Sequence, residues 1–168
     1  GKFVAVGREG TILTSTDGVR WTQQTSGTTN SLYAITYGNG KFVAVGREGT
    51  ILTSTDGVRW TRQTSGTTNS LFAITYANGK FVAVGTDGTI LTSTDGVRWR
   101  RQNSGTTNSL VAITYANGKF VAVGTDGTIL TSTDGVRWRR QNSGTTNSLV
   151  AITYANGKFV AVGTDGTI

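Results

Sequence analysis

Thr11-Ile12-Leu13-Thr14-Ser15-Thr16-Asp17-Gly18-Val19-Arg20-Trp21 returns without change at 50–60, 89–99 and 128–138, and Thr167-Ile168 opens a fifth copy. Ile-Leu-Thr-Ser is a short β-branched and apolar run of the kind that fits a strand. Asp-Gly then marks a tight turn, and Val-Arg-Trp opens another strand. The interval between copies is 39 residues each time, with no insertion or deletion. A fixed period of that length is the signature of a repeat architecture.

Working outward, Gly-Lys-Phe-Val-Ala-Val-Gly precedes each copy, at 1–7, 40–46, 79–85, 118–124 and 157–163. Residues 31–69 make one complete period. Positions 31–37 are rich in β-branched and aromatic residues and read as an inner strand. Asn39-Gly40 is a strong hairpin signal, and 41–45 is the second strand. Arg47-Glu48-Gly49 turns the chain again, and later copies place Asp-Gly there, a better pair for a type I′ turn. The third strand is expected at 50–55, a tight turn at Asp56-Gly57, and the outer strand at 58–64. Only 65–69 forms a longer connection. No stretch holds a helical period for more than a turn, and Gly recurs too often for helices.

Three hairpins per period give a four-stranded antiparallel sheet. Its second strand, Phe-Val-Ala-Val, is apolar at consecutive positions, so both faces need cover. Stacking one sheet face to face on the next supplies it, and four-stranded sheets repeated about an axis make a β-propeller. A β-trefoil repeats a unit of similar length but needs three copies, and this chain has more than four. A β-solenoid uses shorter coils and parallel strands, against three hairpin turns per period. The expected fold is therefore all-β, a β-propeller of 39-residue four-stranded antiparallel blades in one region, 1–168. The second to fourth strands of a first blade fall at 1–26. Full blades fall at 31–65, 70–104 and 109–143, and a partial blade at 148–168.

The copies drift along the chain. Arg8-Glu9 and Arg47-Glu48 become Thr86-Asp87 and Thr125-Asp126, Gln23 becomes Arg62, Arg101 and Arg140, and Tyr33 becomes Phe72, Val111 and Val150. Duplication explains graded copies better than an idealised design does.

Ser15-Thr16-Asp17-Gly18-Val19-Arg20-Trp21 resembles the Asp-box, or bacterial neuraminidase repeat, whose pattern is Ser-x-Asp-x-Gly-x-Thr-Trp. The loop here is one residue shorter. The resemblance covers every period and implies a propeller. It also points to a secreted or cell-surface bacterial setting, although the residues themselves name no compartment. It does not fix an activity, because one fold hosts many functions. Without the resemblance, Asp17, Asp56, Asp95 and Asp134 read as turn anchors that accept backbone N–H groups. Trp21, Trp60, Trp99 and Trp138 read as covers for the same corners.

The net charge is +7, and the chain has no Cys, His, Met or Pro. Disulfides and thiol metal sites are excluded, and the commonest catalytic base and nucleophile are missing. The sialidases on this fold draw different catalytic groups from different blades, whereas these blades are equivalent. No enzyme, metal or cofactor is expected. The lack of Met points to a piece of a longer polypeptide, and no run is long and apolar enough to span a membrane. Arginines at 98, 100, 101, 137, 139 and 140 are most simply a solvated outer edge that discourages sheet-to-sheet pairing, with no specific nucleic-acid partner.

The expected function is a non-enzymatic binding or scaffold module, with glycans as a multivalent ligand. Tyr37, Tyr76, Tyr115 and Tyr154, next to Asn39, Asn78, Asn117 and Asn156, are candidate contacts, as is the 65–70 type of inter-blade loop. Packing is the simpler role for the tyrosines. The alternative is a structural unit whose activity is self-assembly. The expected partner is then another copy that completes the ring, either a second chain, with the two making eight blades by exchanging the closing strand, or the missing part of a longer array.

Overall fold

The computed structural model describes all 168 residues. Seventeen strands form five antiparallel sheets. The first contains β1 (Phe3–Val6), β2 (Ile12–Ser15) and β3 (Thr22–Gln24). Three full blades follow. They are β4 (Leu32–Gly38) to β7 (Thr61–Gln63), β8 (Leu71–Ala77) to β11 (Arg100–Gln102), and β12 (Leu110–Ala116) to β15 (Arg139–Gln141). Within them lie β5 (Lys41–Gly46), β6 (Ile51–Ser54), β9 (Lys80–Gly85), β10 (Ile90–Ser93), β13 (Lys119–Gly124) and β14 (Ile129–Ser132). The last sheet is β16 (Leu149–Ala155) with β17 (Lys158–Gly163).

Strands pair in sequence order within every sheet. The first strands of successive full blades, β4, β8 and β12, pack side by side and carry on to β16, which places them innermost. In this structure β16 pairs with β17 and β1 with β2, so the blades form an open arc.

The doubly apolar second strand is covered on both faces, as its sequence requires. Val43 and Val45 pack on Leu71, Phe81, Ala83 and Leu91 of the next blade. Ala44 on the opposite face joins Leu52, Leu32 and Ile12. The same arrangement recurs one blade on, where Val82 and Val84 meet Leu110, Phe120 and Leu130. Lysines tie the blades across their rims. Lys2, Lys41 and Lys80 each donate Nζ–H to the carbonyl of Asp56, Asp95 and Asp134 respectively, at 2.7 Å.

Two of the three turns are those the sequence names. Asn39 (φ 47°) and Gly40 (φ 78°) both lie in the left-handed region, as a type I′ turn demands. Asp87 (φ 56°) and Gly88 (φ 70°) do the same, and the Thr89 N–H donates to the Thr86 carbonyl at 3.0 Å. The third turn differs. The outer strand covers only Thr61–Gln63, and 55–60 is a loop where a tight Asp-Gly hairpin and a strand from 58 are expected. The reason is local: side chains satisfy the backbone N–H groups that a longer ladder would otherwise pair.

Each inner strand carries a β-bulge between its first and third residues, at Leu32/Ala34 in the first full blade. Tyr33 is the extra residue, and its ring lies 5.5 Å from that of Phe72, the equivalent residue of the next blade.

Candidate functional site

The corner after each third strand is built from three side chains of one short segment. In the first full blade, Ser54 Oγ accepts the N–H of Gly57 at 2.7 Å and of Asp56 at 3.3 Å. Its hydroxyl donates to Asp56 Oδ1 at 3.0 Å. That same Oδ1 accepts the N–H of Val58 at 2.8 Å and of Arg59 at 2.9 Å. Trp60 Nε1–H donates to the Gly57 carbonyl at 2.9 Å, which closes the loop. The pattern recurs at Asp17, Asp95 and Asp134.

The N–H groups of Arg59 and Val58 favour the ionised carboxylate and hold Asp56 down at about 2. The equivalent N–H groups hold Asp95 and Asp134 at about 2, and lower Asp17 as well. One oxygen of each carboxylate, Oδ1, is turned into its own loop and occupied there.

The other residues singled out by sequence sit elsewhere. Tyr37, Tyr76, Tyr115 and Tyr154 meet Phe42, Phe81, Phe120 and Phe159 of the adjacent strand in tilted or edge-on contacts, with centroids 4.5–4.7 Å apart. Each full blade continues this tier to its Trp, 6.2–6.4 Å beyond the Phe. Asn39, Asn78, Asn117 and Asn156 occupy the positive-φ position of the inner hairpin. Asn39 also donates to the Thr94 carbonyl at 3.2 Å. The inter-blade loop is braced by its own hydrogen bonds: Asn69 N–H reaches Thr67 Oγ1 at 3.0 Å, and Asn69 Nδ2 reaches Thr89 Oγ1 at 2.9 Å.

Sequence reasoning missed an open cleft beside each corner of the last two full blades. Between the second and third full blades, a cleft of about 370 Å³ is lined by Lys80, Thr92, Arg98, Trp99, Arg100 and Gln102, with Val136 at its edge. The equivalent cleft of the third full blade, about 430 Å³, has Lys119, Thr131, Arg137, Trp138, Arg139 and Gln141. In both, the glutamine Nε2 donates to the threonine Oγ1 at 2.9 Å. Lysine comes from the second strand, threonine from the third, Trp from the corner and arginine from the outer strand. The sequence signal was present in Trp-Arg-Arg, but strand order alone left those arginines on a solvated rim.

No protein-family model matches the chain, and no curated protein does. Solved structures do match its fold. The chain aligns over 95% of its length, at 19% identity and a TM-score of 0.74, with 56% of a chain described as YCF48 bound to D1 peptide. It aligns over 98%, at 16% identity and a TM-score of 0.79, with 53% of the computationally designed Ika8 protein. It also aligns over 98%, at 16% identity and a TM-score of 0.72, with 58% of the WD40 β-propeller domain of Doa1. The chain thus spans little more than half the length of each. The class is that of the repeat β-propellers, and this protein is an arc of near-identical four-stranded blades.

Proposed function

We propose that the chain is a non-enzymatic, multivalent binding module that presents one shallow glycan site per competent blade. The observation that carries this reading is the recurrence of the corner cleft on consecutive blades, residue for residue, at one fixed spacing. Weak equivalent sites held by a rigid frame gain avidity from a ligand that repeats. Each cleft joins hydroxyl, amide and guanidinium groups to a half-buried indole, a polar surface suited to sugars more than to an apolar ligand. The corner hydrogen bonding is in keeping with the resemblance to Asp-box repeats. Screening the intact chain on an array of neutral and acidic glycans tests the reading. Binding to a glycan class that strengthens with its chain length supports it, and no binding to any glycan overturns it.

A second reading has its own observation. Phe3 is 57% exposed, and Val160 and Val162 of β17 are also exposed, so apolar faces at both ends of the arc lack a covering blade. A second copy that completes the ring, or further blades of a longer array, would cover them. Light scattering separates the outcomes. A mass near twice 17.7 kDa supports pairing of copies, and a stable species of 17.7 kDa opposes it.

A further inference from the structure

We infer that the corner clefts of the second and third full blades select anionic glycans, and that Arg100 and Arg139 set this preference. The inference rests on the glycan-binding reading and names the ligand chemistry of the same site.

Lys80, Arg98 and Arg100 surround one cleft, and Lys119, Arg137 and Arg139 the other. None of these six cations has a carboxylate partner, because the chain's one ion pair is Arg47–Glu48 at 4.0 Å. The nearest acids by position, Asp95 and Asp134, spend Oδ1 on the N–H groups of their own loops. Lys80 donates to the Asp134 carbonyl and lies near enough to the Asp134 carboxylate to help hold it ionised, so the two arginines are the uncompensated cations of that cleft. Guanidinium groups so placed can grip sulfate or carboxylate oxygens with paired N–H donors.

The chain itself contains the comparison. The first two blades carry Thr22 and Thr61 where the last two full blades carry Arg100 and Arg139. The fold therefore accepts either residue at this site on the outer strand, so the arginines are not required for packing. The neighbouring Arg101 and Arg140 also drift from Gln23, yet neither lines either of these two clefts.

A sugar fits better than a nucleic acid. Single-stranded nucleic acid needs free aromatic faces on which bases stack. Trp99 is the one aromatic residue of its cleft. It packs with Phe81 at 6.2 Å, and its Nε1–H is committed to the Gly96 carbonyl at 2.9 Å. What remains open is charge, hydroxyl and amide.

The test measures binding of the intact chain to sulfated chondroitin, to hyaluronan as a carboxylate-only glycan, and to neutral dextran. Single-stranded DNA and polyglutamate serve as control polyanions. Sulfated chondroitin or hyaluronan is expected to bind best and to weaken as salt rises. The double variant Arg100→Thr/Arg139→Thr is expected to lose affinity about tenfold or more, as the loss of one charge-assisted contact implies. The double variant Arg101→Gln/Arg140→Gln removes the same net charge outside the clefts and is expected to bind as the unaltered chain does. Equal loss in both variants overturns the inference, because net charge alone would then explain binding. Tighter binding of DNA or polyglutamate than of either acidic glycan also overturns it. Binding of dextran without preference for the acidic glycans overturns the inference but leaves the glycan-binding reading standing. Failure of every glycan removes both.

Discussion

Replacing Phe81 by Ala and, separately, Phe3 by Ala probes blade stacking inside a single molecule. The two phenylalanines sit in identical Gly-Lys-Phe-Val-Ala-Val-Gly segments, so propensity and local sequence are matched. Their surroundings are not. Phe81 is 0% exposed and packs among Val43, Val45, Leu71 and Leu91, between Tyr76 and Trp99. Phe3 is 57% exposed and has Trp21 as its one aromatic neighbour. A buried aromatic side chain removes about 150–250 Å² from water. At about 25 cal/mol/Å² that is about 4–6 kcal/mol, an upper bound because the unfolded chain already buries part of its apolar surface. Truncations of buried phenylalanine cost about 3–5 kcal/mol, and that is the range expected for Phe81→Ala. Phe3 buries less than half its surface, so Phe3→Ala is expected to cost about 1–2 kcal/mol. Urea unfolding followed by tryptophan fluorescence measures both, with one Trp reporting on each corner. Costs that agree within about 0.5 kcal/mol, the usual margin for independent sites, would refute the claim that inter-blade packing holds the arc together.

Two further outcomes follow from the turns. Gly88 has φ 70° and an added methyl would meet the backbone carbonyl of Thr106, whereas Gly105 has φ 78° and open space around it. Gly105→Ala should therefore cost only the left-handed penalty of about 1–2 kcal/mol, and Gly88→Ala clearly more, which thermal unfolding of the two variants would show. The corner carboxylates give a pH dependence. Asp56, Asp95 and Asp134 are held at about 2 in the folded state, below the ordinary 3.8. A depressed folded pKa means that this stability is fully present above the ordinary value and is lost as pH falls from about 4 through about 2. The urea midpoint should drop across that window, and Asp95→Asn should make the drop shallower. An unchanged drop in that variant would show that other groups control acid unfolding.

Much of the fold was legible because the repeat shows the same local grammar several times. The 39-residue period, the Asn39-Gly40 and Asp87-Gly88 turns and the doubly apolar second strand each state a requirement that stacked four-stranded sheets meet. The outer strand was read too long at 58–64. Its β-branched and aromatic residues suit a strand, but Ser54 and Asp56 capture the N–H groups of 57–59 before a ladder can. The cleft was hidden for a different reason. Its residues come from three strands and a corner, and the Lys80–Asp134 tie at its edge spans 54 residues, an interval that the repeat length does not announce. The tyrosines stood out as aromatics beside a turn with packing as their simpler role, and each one meets its cross-strand Phe in a tilted or edge-on contact.

The most direct test is to count sites and then add one. The first full blade has Lys41, Arg59, Trp60 and Gln63 at the positions that line the later clefts, and differs from them at Thr61. Calorimetric titration with a short sulfated oligosaccharide, too small to bridge blades, should give two sites on the unaltered chain, one for each arginine-bearing cleft. Thr61→Arg should raise the count to three at similar affinity. A stoichiometry that stays the same after Thr61→Arg, with the variant folded, would contradict the account that each arginine-bearing blade carries its own site and that the outer-strand arginine completes it.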